Sequence, residues 1–444
     1  MKILIITYYF PPSGGSGVQR WLKFVKYLPQ FGWQPIVLTV NPGKANFPHF
    51  DHSLEKDIPP EVRVERTDSF EILDFYKKVS AEKTAPSGNL TAEKYASFPQ
   101  KVFRFIRGNF LLPDPRRGWN KYAYRRACEL IEKENIQYVV TTSPPHSTQL
   151  IGLRLKKKFP ALSWFADFRD PWTDVFYYKM LYPTKIADKI NKNYERNVLE
   201  TADKVIVTSE ATKNVFLSKS KRILPEKIAV ITNGFDEDDF VNVKDNILPR
   251  FTLTYIGILY NSEDLKSLFT AFSQLKNKEN CLLRFVGQSG TLVAPEISKY
   301  GLEKYTKFLP QVKHSEAVQL MADSSVLVLL APDENESAAF LPGKLFEYLA
   351  ARRPILCIAS PNNDIRRIIA ENNAGQSFDY SEETEMLQFL EKQKTDWETN
   401  KISQLTNTGF LKYSRKNLTK NLVELLENLS QENADDADNA DFRR

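Results

Sequence analysis

The sequence predicts an α/β protein with two domains, each a doubly wound parallel sheet flanked by helices. The 444 residues exceed what one compact core holds, because single cores stop growing near about 250–300 residues. Short apolar runs rich in β-branched residues alternate with longer helical patterns, as in βαβ units. The alternation also restarts after residues 245–249, so we expect two sheets.

The first sheet is predicted from seven apolar segments. They lie at 2–7, 35–40, 62–66, 137–142, 163–168, 204–208 and 227–231. Between about 68 and 126 the alternation lapses, because 80–97 is polar and a run dense in Lys, Arg and aromatic residues follows. We interpret 68–126 as an insertion in a first domain that spans 1–245.

The second sheet is predicted from six further segments. They lie at 252–256, 282–286, 306–308, 326–330, 354–358 and 376–378. A linker around 241–250 separates this second domain, 246–412, from the first. An amphipathic helix is expected at 413–430, and the acidic tail 431–444 has too little apolar surface to fold.

Composition narrows the class of protein. Hydrophobic residues make up 42% and charged residues 26%, which is typical of a globular protein. The net charge of +6 is too small to indicate nucleic-acid binding by itself. Cys128, Cys281 and Cys357 are odd in number and lack metal-ligand spacing, as expected of thiols in a reducing compartment. The first residues read as a buried strand and not as a signal peptide, so we expect a cytoplasmic protein.

A glycine-rich loop follows the first predicted strand. Gly14, Gly15 and Gly17 precede an amphipathic helix whose apolar side carries Trp21, Phe24, Val25 and Leu28. Glycines let the backbone approach a ligand, and a helix N-terminus attracts phosphate; a tight turn without a ligand is the alternative. A nicotinamide cofactor fits less well. Arg20 stands where the third glycine belongs, and the second strand ends without a ribose-binding carboxylate.

A second candidate phosphate site lies at residues 342–347. Gly343 opens a predicted helix, Lys344 lies in its first turn, and Glu347 follows one turn later on the same face. This arrangement suits a diphosphate at the helix end and a ribose whose hydroxyls need a carboxylate acceptor. The alternative is a surface helix with a Lys–Glu pair three residues apart.

Several motifs occur in an order that resembles the retaining glycosyltransferases of family 4, which have the GT-B fold. The resemblance covers nearly the whole chain, and its joint order is more specific than any single motif. The matching segments are 8–17, 143–146, 167–172, 202–209, 232–236, 255–257, 285–287 and 342–348. The resemblance implies two Rossmann-like domains facing across a cleft, with the helix at 413–430 returning to the first domain.

The resemblance also implies roles for particular residues. Glu347 corresponds to the ribose-binding second glutamate of an E-x7-E signature, and Ala339 replaces the first one. The donor site would include Gly15, Gly17, Gly257, Lys266, Gly287, Gly343, Lys344 and Glu347. The basic pair that often follows the Gly257 strand is incomplete, since Ile258 and Leu259 stand there.

Two polar residues follow neighbouring strands of the first sheet and are candidate catalytic residues. His146 lies in the loop after the fourth strand and would orient the sugar or bond to the reacting centre. Asp170 lies in the loop that follows the next strand. The alternatives are a helix-capping histidine, and an N-cap or a partner of an arginine, respectively.

The inserted segment combines cations with aromatic residues. Arg104, Arg107, Arg116 and Arg117 lie among Phe103, Phe105, Phe110 and Trp119. Such a composition suits an anionic membrane surface or the diphosphate of a lipid-linked acceptor. A single-stranded nucleic-acid platform looks the same, but no other feature supports it. A basic helix packed through its aromatic residues is the alternative.

The sequence therefore predicts a transferase that moves a sugar from a nucleoside-diphosphate sugar to an acceptor glycan or lipid-linked sugar. Cell-surface polysaccharide or glycolipid synthesis is the expected role, at the inner face of the cytoplasmic membrane. By resemblance, the anomeric configuration is retained and no metal is needed. The acid run Asp236–Asp239 resembles the family's turn after the last strand of the first domain and is read as a solvated loop. The alternatives are a nucleotide-sugar epimerase and a non-catalytic sugar-nucleotide-binding protein.

Overall fold

The computed structural model describes residues 1–70, 98–244, 248–259, 262–331, 341–399, 401 and 407–441. The chain divides into two compact units. The first unit contains Met1–Thr232 and the chain from Arg415 onward, and the second unit is Asn233–Ser414.

The first unit is built on a parallel sheet that has seven strands among the described residues. The strands are β1 Lys2–Ile6, β2 Gln34–Val40, β3 Arg63–Thr67, β4 Tyr138–Ser143, β5 Ser163–Phe168, β6 Lys204–Val207 and β7 Ile228–Val230. Their order is β3-β2-β1-β4-β5-β6-β7. The order reverses between β1 and β4, and ligands of such sheets bind beyond the carboxyl ends of the strands at this switch point.

Helices cover both faces of the first sheet. They are α1 Ser16–Tyr27, α2 Phe98–Asn109, α3 Asn120–Glu134, α4 Gln149–Lys158, α5 Lys185–Thr201, α6 Glu210–Leu217 and α13 Arg415–Asp441. The four apolar residues predicted for α1 are all buried, against a core that also receives Leu418, Leu422 and Leu426 of α13. Because α13 contributes to this core, the end of the chain is part of the first unit.

The second unit repeats the plan with six strands in the part of the chain that the structure describes. The strands are β8 Phe251–Ile256, β9 Cys281–Val286, β10 Thr306–Leu309, β11 Val326–Leu330, β12 Ile355–Ile358 and β13 Gly375–Phe378. The helices are α7 Lys266–Gln274, α8 Gly290–Lys299, α9 His314–Ala322, α10 Lys344–Ala351, α11 Asp364–Glu371 and α12 Glu383–Glu398. The strand order β10-β9-β8-β11-β12-β13 places the switch point between β8 and β11.

The predicted fold class is confirmed, and the strands agree with the prediction to within one residue at each end. The predicted unit boundary at 245/246 differs from the observed one at 232/233. The backbone N–H of Phe235 donates to Tyr413 O at 3.2 Å, and the Phe235 ring packs on Phe410 at 5.7 Å. These contacts hold the segment after Thr232 in the second unit.

Two predicted boundaries are wrong. The insertion does not extend to residue 126, because α3 begins at Asn120 and buries Ala123 and Ala127 in the core of the first sheet. The tail is not disordered from residue 431, since α13 continues to Asp441. Helix propagation costs much less than nucleation, so an established helix extends through an Ala- and Glu-containing segment that could not nucleate one.

Candidate functional site

Two glycines bring backbone close to a lysine at the carboxyl edge of the second sheet. Gly257 follows β8 with φ 143°, and a Cβ at this position would overlap Lys344 Nζ. Gly287 follows β9 with φ 112°, and its Cβ would lie 2.7 Å from Gly257 O. Both positions therefore need glycine for conformation and for space. The structure brings together three residues that the sequence only placed in separate motifs.

Lys344 is the first residue of α10, so its side chain leaves the backbone at a helix N-terminus. Its Nζ lies 6.0 Å from the centroid of the Tyr255 ring. Burial lowers the pKa of Lys344 to about 8, and Glu347 opposes this shift. The half-buried cation is thus poorly solvated and would be stabilised by an anionic ligand.

The start of α10 is fixed to the sheet by Tyr348. Its buried hydroxyl accepts a hydrogen bond from the backbone N–H of Ile256 at 3.2 Å. Glu347, the preceding residue, lies in the first turn and is half-buried. Tyr348 belongs to the matching segment 342–348, but it was not predicted as a site residue, because an aromatic residue on a helix is usually only a core residue.

The other predicted donor residues differ in what the structure shows. Gly343 precedes α10 and is exposed, and a Cβ there would meet no atom of another described residue within 4 Å. Lys266 begins α7 and is half-buried, and its role in the site stays a prediction. Ala339, which replaces a family glutamate, lies outside the described residues.

In the first unit, the glycine-rich loop lies beside Arg169. Gly15 adopts φ 100° before α1, and a Cβ on Gly17 would lie 2.5 Å from Arg169 Nη1. Arg169 follows β5 and donates from Nε and Nη2 to Asp170 Oδ2, both at 3.4 Å. The cation therefore lies over the first turn of α1, where a side chain on Gly17 would displace it. Arg169 was not among the predicted site residues, because a charged residue in a loop has no periodicity that marks it.

His146 lies after β4 and is buried, with 8% of its surface exposed. Its ring stacks on Trp172 with centroids 5.0 Å apart and planes inclined by 12°. Neither ring nitrogen has a hydrogen-bond partner among the described residues. Burial, with a smaller contribution from the Arg169 cation, lowers the pKa of His146 to about 3. The imidazole is therefore neutral near pH 7 and offers one donor and one acceptor to a ligand.

Asp170 is the partner of Arg169, which is one of the alternatives that the sequence left open. The side chain of Asp170 is 18% exposed, and that of Arg169 is 22% exposed. The pair explains Asp170 structurally, and its catalytic role stays a prediction.

A second ion pair holds β5 and α1 together beneath this loop. Arg20 Nη2 donates to Asp167 Oδ1 at 2.9 Å, and both side chains are almost fully buried. Trp21 Nε1 and Thr142 Oγ1 each donate to Asp167 Oδ2 at 2.7 Å. The network fixes the end of β5 two residues before Arg169. Sequence reasoning noted Arg20 only as the residue that breaks a dinucleotide motif.

The four arginines predicted to bind an acceptor or a membrane do not form one exposed surface. Arg104 is buried. Arg116 donates to Asn46 O at 2.7 Å and lies over the Tyr8 ring. Arg117 is exposed and donates to Leu112 O at 2.6 Å. The prediction of a shared cationic surface is wrong, because Arg104 on α2 is buried, and Arg116 and Arg117 lie in the separate turn Pro115–Trp119, where each bonds to a backbone carbonyl.

The acid run after β7 forms a short 3-10 turn, Glu237–Phe240, capped by Asp236. His314 Nε2 lies 3.1 Å from Asp239 Oδ2. Across the described part of the chain, no group of three or more His, Cys, Asp and Glu side chains is arranged to hold a metal ion. None of the described helices is both long and apolar enough to cross a membrane.

Two family profiles match the chain. Glycosyltransferase Family 4 matches residues 84–239, and Glycosyl transferases group 1 matches residues 236–408. No curated protein sequence matches the chain significantly.

Solved structures share the fold at low sequence identity. Sucrose-phosphate synthase from Thermosynechococcus elongatus is 15% identical with a TM-score of 0.60, and the match covers 97% of this chain and 99% of that one. S. aureus TarM, in complex with UDP, α-GlcNAc-glycerol and fondaparinux, is 12% identical with a TM-score of 0.55 over 96% and 99% of the two chains. A candidate UDP-N-acetylglucosamine 2-epimerase from Listeria monocytogenes is 12% identical with a TM-score of 0.52 over 97% of each chain. With both profiles matched in order on two doubly wound sheets, this protein belongs to the GT-B glycosyltransferases of the family-4 type.

Proposed function

We propose that the protein transfers a sugar from a nucleoside-diphosphate sugar to an acceptor hydroxyl, and that the second unit holds the donor. The juxtaposition of Gly257, Gly287 and Lys344 carries this proposal. These residues place glycine backbone without side chains, a helix N-terminus and a poorly solvated cation close together. Such features bind a diphosphate. Glu347, in the first turn of α10, accepts hydrogen bonds from the ribose hydroxyls.

The transfer retains the anomeric configuration in this proposal. The acceptor oxygen bonds to the anomeric carbon as the bond from that carbon to the diphosphate breaks, and the acceptor proton passes to the leaving phosphate. Lys344 and the positive end of the α10 dipole stabilise the negative charge that develops there, so the reaction needs no metal. The protein contributes position and electrostatics.

His146 binds a sugar hydroxyl in this reaction. Its two ring nitrogens have no partner among the described residues, so a hydroxyl that bonds to either one replaces no existing contact. The low pKa excludes a protonated imidazole as general acid near neutral pH. Asp170 acts through its pairing with Arg169, beside the start of α1.

The experiment is to incubate the protein with a panel of nucleoside-diphosphate sugars, with and without candidate acceptors, and to identify every product. Nucleotide release that depends on acceptor supports the transferase, and NMR of the product reports the anomeric configuration. An epimerised sugar nucleotide would identify an epimerase instead. Binding without any turnover would identify a non-catalytic sugar-nucleotide-binding protein.

We also propose that the acceptor is displayed on an anionic membrane, and that α2 docks there. Its exposed apolar side chains follow one helical face: Phe98, Val102, Phe105 and Ile106 expose 80%, 42%, 41% and 42%, and Phe110 just beyond exposes 71%. The ionisable residues of α2 are all basic, and Lys101 is exposed beside this face. An apolar face flanked by cations suits the boundary between headgroups and acyl chains of anionic lipid.

This surface replaces the arginine surface expected from the sequence, and it changes the test. Phe105→Ser combined with Ile106→Ser should weaken binding to phosphatidylglycerol vesicles, and raising the salt concentration should remove only part of the wild-type binding. Leu224→Ser is the matched control, because Leu224 exposes 53% of its surface in the same unit. Wild-type protein that ignores these vesicles at low salt, or a double variant that binds as wild type does, would reject the proposal.

A further inference from the structure

A recess in the first unit is lined by residues of α3 and α4 and has a volume of about 380 Å³. Four of the lining side chains are basic: Lys121 and Arg125 on α3, and Arg154 and Lys158 on α4. The two members of each pair are four residues apart, so each helix presents both of its cations on one face. Both helices therefore contribute positive charge to the same recess.

The two carboxylates of the recess already have basic partners. Glu129 Oε2 accepts a hydrogen bond from Arg126 Nη1 at 2.7 Å, and Arg126 is not one of the lining residues. Glu132 Oε1 accepts from Lys158 Nζ at 2.8 Å across the recess. Glu132 therefore balances Lys158, and Glu129 is engaged by a cation from outside.

The other three cations of the recess have no carboxylate partner. Lys121, Arg125 and Arg154 are exposed, and none of them makes a hydrogen bond or an ion pair with another described residue. Arg126, the next residue on α3, is by contrast also paired with Glu65 at 3.0 Å. The helix thus neutralises the arginine outside the recess and not the one inside it. An anion in the recess would displace no existing ion pair of these three side chains.

Arg154 is restrained by an aromatic ring on the opposite helix. Its guanidinium carbon lies 3.9 Å from the centroid of the Tyr124 ring, which is a close cation–π contact. Tyr124 lines the same recess. The ring occupies one face of the guanidinium, and the N–H groups at its edge make no hydrogen bond to a described residue. A guanidinium that is already restrained loses less conformational freedom when it binds an anion.

Cys128 provides a chemical probe of the recess. It is the one buried residue among those that line it, with 8% of its surface exposed. The other two cysteines of the chain, Cys281 and Cys357, are 0% exposed and lie in the cores of the second unit. A small thiol reagent should therefore reach Cys128 first, and a ligand in the recess should slow that reaction.

We propose that the recess between α3 and α4 binds a small molecule that carries two phosphate groups. The three cations without a carboxylate match a ligand with several negative charges, and arginine forms paired hydrogen bonds to phosphate oxygens. Because Arg125 and Arg154 lie on different helices, each can bind one phosphate group. The volume of the recess is within the range of about 300–1,000 Å³ that is usual for small-molecule sites. This site concerns the first unit alone and does not depend on sugar transfer.

The test is calorimetric titration with fructose 1,6-bisphosphate and with inorganic phosphate. A Lys344→Ala parent removes the cation of the phosphate site proposed in the second unit. Arg125→Gln combined with Arg154→Gln should weaken bisphosphate binding by at least about tenfold. Lys133→Gln combined with Lys157→Gln is the matched control and should leave the affinity unchanged. It removes the same charge from exposed positions of the same two helices, outside the recess. Inorganic phosphate should bind the parent more weakly than the bisphosphate does.

Alkylation of Cys128 by N-ethylmaleimide locates the ligand and distinguishes its source. Protection by the soluble bisphosphate indicates a soluble ester, and protection only by vesicles containing phosphatidylinositol 4,5-bisphosphate indicates a lipid headgroup; either supports the site. The protection should persist in the lysine control and be lost in the Arg125 and Arg154 double variant. Equal affinities in the two double variants, equal losses in both, or alkylation that neither source slows would overturn the proposal.

Discussion

The pKa of Lys344 makes the donor site testable through pH. The pKa of about 8 is set by burial of the amine. A diphosphate beside Nζ favours the charged amine, so it should return the pKa toward the ordinary lysine value of about 10.4. The complex then binds one more proton than the free protein between these two values. The affinity for the diphosphate should therefore be highest well below pH 8 and fall as the pH rises through 8.

The expected size follows from the titration. At pH 9 roughly one free Lys344 in ten is protonated, so the affinity for nucleoside diphosphates should be about tenfold lower than at pH 7. Lys344→Arg should remove this slope, because arginine stays charged throughout. At pH 7, Lys344→Ala should lose roughly 10- to 100-fold, since a charge-assisted hydrogen bond contributes about 1.5–3 kcal/mol.

The assay is calorimetric titration with a panel of nucleoside diphosphates and the corresponding nucleosides at pH 7, 8 and 9. Nucleoside affinity should not change with pH or with the substitution of Lys344. Lys307→Ala is the control, because Lys307 is an exposed lysine on β10 in the same unit. Equal losses for diphosphate and nucleoside would refute a phosphate role, and a slope that persists in Lys344→Arg would assign the titration to another group.

Two further predictions concern single carboxylates. Glu347→Ala should weaken donor binding at least about tenfold with unchanged melting temperature, and it should abolish any preference for ribose over deoxyribose nucleotides, because the hydroxyl acceptor is gone; unchanged donor affinity would reject the assignment. Asp167→Asn should lower the free energy of unfolding by about 3–5 kcal/mol in urea titration, because the buried Arg20 cation loses its partner. A loss under about 1 kcal/mol would show that water or another group compensates Arg20.

The strands were predictable because buried parallel strands are short apolar runs, and such runs are visible in the sequence. The sequence identified Gly257, Gly287 and Lys344 as members of separate motifs. Their contact could not be predicted from local pattern, because it joins three segments that are distant in sequence. The arginines of α2 show the limit more sharply. Arg104 and Arg107 lie three residues apart, and only the packing of the helix decides that Arg104 is buried while Arg107 is half-buried.

Boundaries failed where tertiary contacts override local composition. The segment after Thr232 looks like the end of the first domain, yet Phe235 packs on Phe410. Likewise, residues 120–126 are as basic as the inserted segment before them, yet Ala123 is buried in the core of the sheet and Tyr124 packs against that core.

The first unit is made of two stretches of chain separated by the whole second unit. A ribosome therefore releases the second unit as one uninterrupted stretch, while the first must wait for its last helix. Until α13 has been synthesised, the apolar face of α1 that receives Leu418, Leu422 and Leu426 stays uncovered. The nascent chain thus carries an unfinished hydrophobic surface for the time needed to translate nearly half of its length. A chain cut after Ser414 would carry that surface permanently and should be a substrate for chaperones and proteases.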